Sequence, residues 1–303
     1  MAKTLKGLIE EGYVSLARLP KKNDFLLSRG DFDLSKLEEL EGYVVPLIAH
    51  DYSAKTPEMW NTLYERLGLN IRNIMFVADP NNAKIIMSAL RADPKYIGGG
   101  FGVGWKEKLD VLDETRPADL RAVNIVAKEN GRLIGYNTDA LGFVRSLEDK
   151  FIGIEKSGIN GKNIIILGAG GVAKEVAKEI AKRKAGRIVI LNRTYSKANT
   201  IAEELNQKYG QIASSGGEEI IRGYLLNSFL KPDAVINLTD KGSDGPLEEY
   251  AAFSIADTKS KEGIGSNLTQ SRTIAKELKS LNPEIIIADI VLSKKKVDYF
   301  KNS

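Results

Sequence analysis

The stretch Ile164-Ile165-Ile166-Leu167-Gly168-Ala169-Gly170-Gly171-Val172-Ala173 decides the fold of the second half of this chain. A buried strand runs directly into G-x-G-G-x-A and then into a helix, the context that gives such a glycine pattern meaning. Gly168 permits the tight turn, Gly170 lets the backbone approach a pyrophosphate, and Ala173 allows close packing of helix on strand. The helix N-terminus offers free amides and a positive dipole end to phosphate. Gly168, Ala169, Gly170, Gly171, Val172 and Ala173 are therefore the expected dinucleotide cradle. The competing reading is a tight βα turn with no ligand.

The next strand, Arg187–Leu191, decides which dinucleotide. An NAD site usually carries Asp or Glu at its end to hold the ribose hydroxyls. Here the chain reads Asn192-Arg193-Thr194, with Lys197 in the following turn. A guanidinium can pair with a phosphate through two bonds and stack on adenine. Asn192 and Thr194 can add hydrogen bonds. The set fits a 2′-phosphate, so the expected cofactor is NADP. Arg193 alone reads equally as a surface charge.

Working outward, strands and helices alternate along the chain, which implies parallel βαβ units and an α/β fold. Strands are expected at Tyr43–Ala49, Ile74–Ala78, Ala122–Val126, Leu133–Tyr136, Asn163–Leu167, Arg187–Leu191, Ala234–Asn237 and 285–288. Helices are expected at 56–67, ending at Gly68, and at Ala83–Ala92. Others should start near Trp105 and Asp139, and run over 172–183 and 195–208. Thr56 reads as an N-cap with Pro57 at the first helical position. Asn130-Gly131 reads as a hairpin turn. Residues 1–42 alternate charge with leucine and isoleucine, as one or two short helices. Phe151–Lys162, with three glycines and little periodicity, is the expected linker, and 242–265 a loop with a short helix. The division is then residues 1–150, an N-terminal extension plus a substrate and catalytic domain, and 151–303, a Rossmann domain binding NADP, with the active cleft between them.

Composition limits the chemistry. The chain has 303 residues, enough for two domains, with 43% hydrophobic and 28% charged residues. A net charge of +4, from 44 basic and 40 acidic side chains, calls for neither nucleic acid nor a membrane surface. Lys294-Lys295-Lys296 reads as a solvated tail or helix end. The absence of cysteine excludes disulfides, thiolate metal sites and cysteine nucleophiles, and the single histidine, His50, makes a metal site unexpected. His50 is read as a structural residue at a strand end rather than a general base. No run approaches the ~20 apolar residues of a membrane span, and the N-terminus does not read as a signal peptide, so a cytoplasmic protein is expected.

Function has to come from the site, because a glycine turn says nothing about substrate. Ala122-Val123-Asn124, followed by Gly135-Tyr136-Asn137-Thr138-Asp139-Ala140-Leu141-Gly142-Phe143, closely resembles the shikimate dehydrogenase family, whose signature reads A-V-N-T and then G-x-N-T-D-x-x-G-F. With G-A-G-G and N-R-T in the same order, the resemblance spans roughly residues 43 to 292. It implies two α/β domains and an NADP-dependent exchange between 3-dehydroshikimate and shikimate, or a related cyclic hydroxy acid. It further implies a small-molecule partner, a hydroxylated ring carboxylate, and a monomer or homodimer. The family's catalytic lysine falls on Lys106 and its catalytic aspartate on Asp139. Asn124 matches the asparagine that binds substrate hydroxyls. Alcohol oxidation needs a base for the hydroxyl proton while hydride leaves. A lysine tuned by its surroundings and oriented by a carboxylate can serve.

The chain departs from the family pattern in several places. N-V-T-x-P reads Gly100-Phe101-Gly102-Val103-Gly104, which removes two substrate-contacting side chains. S-x-S-P reads Ala54-Lys55-Thr56-Pro57, leaving Thr56 either to bind the substrate carboxylate or only to cap its helix. D-x-V-Y reads Asp289-Ile290-Val291-Leu292. The family's M-L-x-x-Q segment has no counterpart before Ser303, and residues 1–42 are a candidate replacement for its helix. The alternative is therefore a family-like NADP-binding protein with another substrate or no catalysis. A P-loop enzyme, suggested by Gly98–Gly104, fails for want of G-K-[ST].

Overall fold

The computed structural model describes residues 4–16, 41–50, 56–102, 104–118, 120, 122–155, 157–225, 231–242, 247, 249–254 and 264–291. Lys55, Val103, Leu292 and the lysine run 294–296 lie outside them, as do all of 17–40 and most of 242–265. The chain divides into two compact units, residues 1–138 and 139–303.

The first unit contains α1 (Leu5–Glu10), β1 (Ser15–Leu16), β2 (Tyr43–Ala49), α2 (Thr56–Arg66), β3 (Ile71–Val77), α3 (Ala83–Ala92), β4 (Gly98–Phe101), β5 (Glu114–Arg116), β6 (Ile125–Glu129) and β7 (Arg132–Tyr136). They build a seven-stranded sheet in the order β1-β3-β2-β4-β6-β7-β5. It is mixed rather than wholly parallel: β3, β2 and β4 are parallel, while β6 runs antiparallel to both β4 and β7. Asn130 (φ 51°) and Gly131 (φ 78°) close the β6–β7 hairpin with two positive φ angles, as an Asn-Gly turn should. In the leading segment, Leu5 and Leu8 are buried, Asp93 accepts the Leu5 N–H at 2.9 Å, and β1 pairs with β3. Residues 4–16 are thus integral to this unit.

One element is added here and one expectation is corrected. The glycine-rich stretch is a buried central strand, β4. A Cβ on Gly98 would stand 2.5 Å from the Val126 carbonyl oxygen, and one on Gly100 2.8 Å from Leu47 Cδ1. Glycine is present there so that β2 and β6 can close on β4. No α-helix starts at Trp105; a turn is followed by one 3-10 turn, Leu109–Val111, because the buried Trp105 anchors the turn instead, its indole donating to the Ala78 carbonyl at 2.9 Å.

The second unit contains α4 (Asp139–Glu155), β8 (Asn163–Leu167), α5 (Gly171–Lys182), β9 (Arg187–Leu191), α6 (Tyr195–Tyr209), β10 (Ala213–Gly216), α7 (Ile221–Leu225), β11 (Ala234–Asn237), α8 (Ile264–Leu281) and β12 (Ile286–Asp289). The sheet is fully parallel, ordered β10-β9-β8-β11-β12. Alternate residues face opposite sides. Ile164, Ile166, Ile188 and Ile190 pack with α4, α5 and α6, while Ile165, Leu167, Val189 and Leu191 pack with Phe253 and with Ile274 and Leu278 of α8. Both faces are covered, which is why these strands read as continuous apolar runs.

The compact units divide between Thr138 and Asp139. α4 carries Ala140, Val144, Leu147 and Phe151 as one apolar stripe into the core of the second unit. Arg183 at the end of α5 pairs with Glu148 at 3.1 Å. The expected linker is helical as far as Glu155.

Candidate active site

In the second unit the glycine turn takes the expected form. Gly168 has φ 112°, and a Cβ there would stand 2.7 Å from the Leu238 carbonyl oxygen. Both the angle and the space demand glycine. Ala173 is buried against the sheet. Gly170 caps α5 with no side-chain bond, and neither Gly170 nor Gly171 would place a Cβ within 4 Å of another heavy atom. The first-turn amides, including those of Val172 and Ala173, lack intrahelical acceptors, and the helix dipole favours an anion there. Ala169 is half-buried beside them.

At the carboxyl end of β9, Arg193, Thr194 and Lys197 are exposed, and Arg193 and Lys197 make no ion pair among the described residues. Thr194 is the N-cap of α6, yet its hydroxyl makes no capping bond. Asn192 also shapes the turn itself. Its Nδ2 donates to the Thr194 carbonyl at 2.9 Å, shaping the turn that presents Arg193.

The first unit brings Lys106 and Asn124 together. Lys106 is half-buried in the turn that Trp105 anchors, and its carbonyl accepts the Val123 N–H at 2.7 Å, one residue before Asn124. Asn124 in turn accepts the Thr138 N–H at 2.9 Å and donates from Nδ2 to the Thr138 hydroxyl at 3.1 Å. Asn137 Nδ2 donates to the Ala122 carbonyl at 3.1 Å. The two signature segments are therefore physically stitched to each other. Asp139 follows Thr138 directly and opens α4. Thr56 is the first residue of α2, one place inside the helix rather than ahead of it. His50 is exposed just past β2, with its Cβ 3.0 Å from where a Gly104 Cβ would stand.

Sequence reasoning missed a polar network where β11 and β12 end. Asn237 Nδ2 donates to Asp289 Oδ1 at 2.9 Å, and the Thr239 hydroxyl donates to Asn237 Oδ1 at 2.6 Å. Lys241 and Glu218 lie buried behind it, 2.7 Å apart. The only sequence signal was a lysine in a segment too weakly patterned to read.

The family model described as shikimate / quinate 5-dehydrogenase matches residues 153–222. The shikimate dehydrogenase (NADP(+)) of Methanothermobacter thermautotrophicus is 36% identical over 190 residues, which cover 62% of this chain and 63% of that enzyme. The aligned part thus falls just short of two thirds of that relative. The shikimate dehydrogenase (NADP(+)) of Alkaliphilus metalliredigens is 30% identical over 268 residues, covering 86% of this chain and 81% of the relative. Among solved structures, the shikimate 5-dehydrogenase of Listeria monocytogenes in complex with shikimate and NAD matches with a TM-score of 0.66 at 24% identity, covering 86% of this chain and 83% of that one. The shared two-domain fold, with one Rossmann unit, and the length of the Alkaliphilus match lead to one conclusion: this chain belongs to the shikimate dehydrogenase family.

Proposed function

We propose that the protein is an NADP-dependent oxidoreductase that interconverts 3-dehydroshikimate and shikimate, or a closely related cyclic hydroxy acid. The observation that carries this reading is the bond from Thr138 N–H to Asn124 Oδ1, which ties the N-T-D segment to the segment bonded to Lys106. The name NADP-dependent shikimate dehydrogenase on both relatives supports it.

NADP fits the residues present. The uncapped start of α5, open at Gly170 and Gly171, would take the pyrophosphate, and Arg193, unpaired among the described residues, would take the 2′-phosphate with Thr194 and Lys197. When bound, the reduced cofactor supplies a hydride to the substrate carbonyl carbon. Lys106 gives a proton to the carbonyl oxygen during reduction and removes it from the hydroxyl during oxidation, and Asp139 is its orienting carboxylate. Asn124 keeps polar atoms near Lys106 for ring hydroxyls, and Thr56 offers a hydroxyl to the ring carboxylate. The protein works in the cytoplasm as a monomer or homodimer. The glycines where the family has N-V-T favour a substrate slightly different from shikimate, because two polar contacts are replaced by buried backbone.

The test is NADP-dependent absorbance change with shikimate, quinate and a panel of hydroxy acids, beside Lys106→Ala. Turnover of one of them that vanishes in the variant supports the proposal. NADP binding without turnover of any would leave a nucleotide-binding protein and end the catalytic reading.

A further inference from the structure

Lys241 is a charged side chain that hydride transfer does not use, and it is only 2% exposed. Its Nζ lies 2.7 Å from Glu218 Oε1 and donates to the Ser254 carbonyl at 2.6 Å. Removing two charges from water is costly, and a well-packed apolar pair is often at least as stable. Stability alone therefore does not account for the pair, but its location offers a reason.

Glu218 lies just past β10 and Lys241 just past β11. Between those strands stand β9 and β8, whose carboxyl ends carry the Asn192–Thr194 segment and the Gly168 turn. The ion pair thus joins the two loops that border the dinucleotide site on either side. Each loop touches the site. On one side, Leu238 N–H donates to the Leu167 carbonyl at 2.8 Å, and the Leu238 carbonyl closes on Gly168. Lys241 N–H donates to the Thr239 hydroxyl at 3.3 Å, which links it back to Asn237. On the other side, Gly216, two residues before Glu218, accepts the Asn192 N–H at 3.1 Å.

We infer that Lys241 and Glu218 are positioning residues whose buried pair fixes the distance between these loops, so that the adenosine and nicotinamide halves of the cofactor are held at the same time. The inference rests on the dinucleotide reading above. Non-directional apolar contacts would keep the unit folded but let the loops shift.

The experiment titrates NADP+ and adenosine 2′,5′-bisphosphate by calorimetry against the wild type, the double variant Lys241→Met/Glu218→Leu, and Glu218→Gln. A wild type that binds neither ligand ends the dinucleotide reading itself, and this one with it. With wild-type binding in hand, the double variant is expected to bind NADP+ roughly tenfold more weakly while its affinity for the bisphosphate stays within about twofold. Glu218→Gln, which keeps an acceptor for Lys241, should fall between. Equal losses for both ligands, or no loss for either, would overturn the inference. If the double variant does not fold, Glu218→Gln decides; if that too fails to fold, the pair is a folding determinant and the inference is overturned.

Discussion

Asn124 Oδ1 accepts the backbone N–H of Thr138 at 2.9 Å, so the residue that introduces Asp139 is held by a side chain fourteen positions earlier. Asn124→Ala removes this bond and the one to the Thr138 hydroxyl. Misplacement of a reacting group costs up to ~100-fold in rate. Steady-state kinetics should show kcat/KM falling roughly 10- to 100-fold, with NADP affinity unchanged. An unchanged kcat/KM would detach Asn124 from the chemistry.

Lys106→Ala removes the proposed proton donor and leaves its anchor, Trp105, in place. The expected loss in kcat is about 10²- to 10⁴-fold, the usual worth of general acid–base catalysis. The melting temperature should barely move. A loss of both together would point to folding rather than catalysis.

Arg193 is exposed and unpaired among the described residues, so its replacement disturbs no partner. Hydrogen bonds to charged groups contribute about 1.5–3 kcal/mol, so Arg193→Ala should weaken NADP binding by roughly 10- to 100-fold. NAD binding should hardly change. Equal effects on the two would remove Arg193 from 2′-phosphate recognition.

At Gly168, the positive φ and the approach of the Leu238 carbonyl leave no place for a methyl group. Gly168→Ala should abolish measurable dinucleotide binding and lower the melting temperature by several degrees, as strain of about 1–3 kcal/mol implies. Retained binding would show that the turn can open.

The hairpin supplies a pH test. The Tyr136 hydroxyl donates to Glu129 at 2.7 Å and, with Arg116, holds its carboxyl below the ordinary Glu value; the Arg116 hydrogen bond does the same for Glu114. A depressed folded value means stabilisation that is complete above the ordinary value and lost as pH falls through the depressed one. Between about pH 6 and pH 3 the melting temperature of the wild type should drop more steeply than that of Glu129→Gln. Parallel curves would deny the network any role.

In the second sheet β8, β9 and β11 were legible because they are buried on both faces. Arg187–Leu191 and Asn163–Leu167 emerged with the expected bounds for that reason. β10, Ala-Ser-Ser-Gly, was not, since its residues carry no apolar signal and its place comes from pairing with β9. β4 was hidden in the same way, as three glycines specify closeness rather than burial. The site divides similarly. Gly168 and the N-T-D segment announce themselves, whereas Lys241 acquires meaning only when folding brings Glu218 to it. The bond from Asn192 Nδ2 to the Thr194 carbonyl had no sequence signal, because a turn-forming amide and a ligand-binding one are written with the same residue.

The boundary at Thr138/Asp139 has a consequence for the integrity of the catalyst. Lys106 and Asn124 belong to one folding unit, while Asp139 heads a helix whose apolar stripe lies in the other. A protease that nicked the chain between Thr138 and Asp139 would leave one fragment with the lysine and no nucleotide turn. The other would keep the aspartate and the nucleotide turn but have no lysine. On the proposed chemistry neither fragment could work alone.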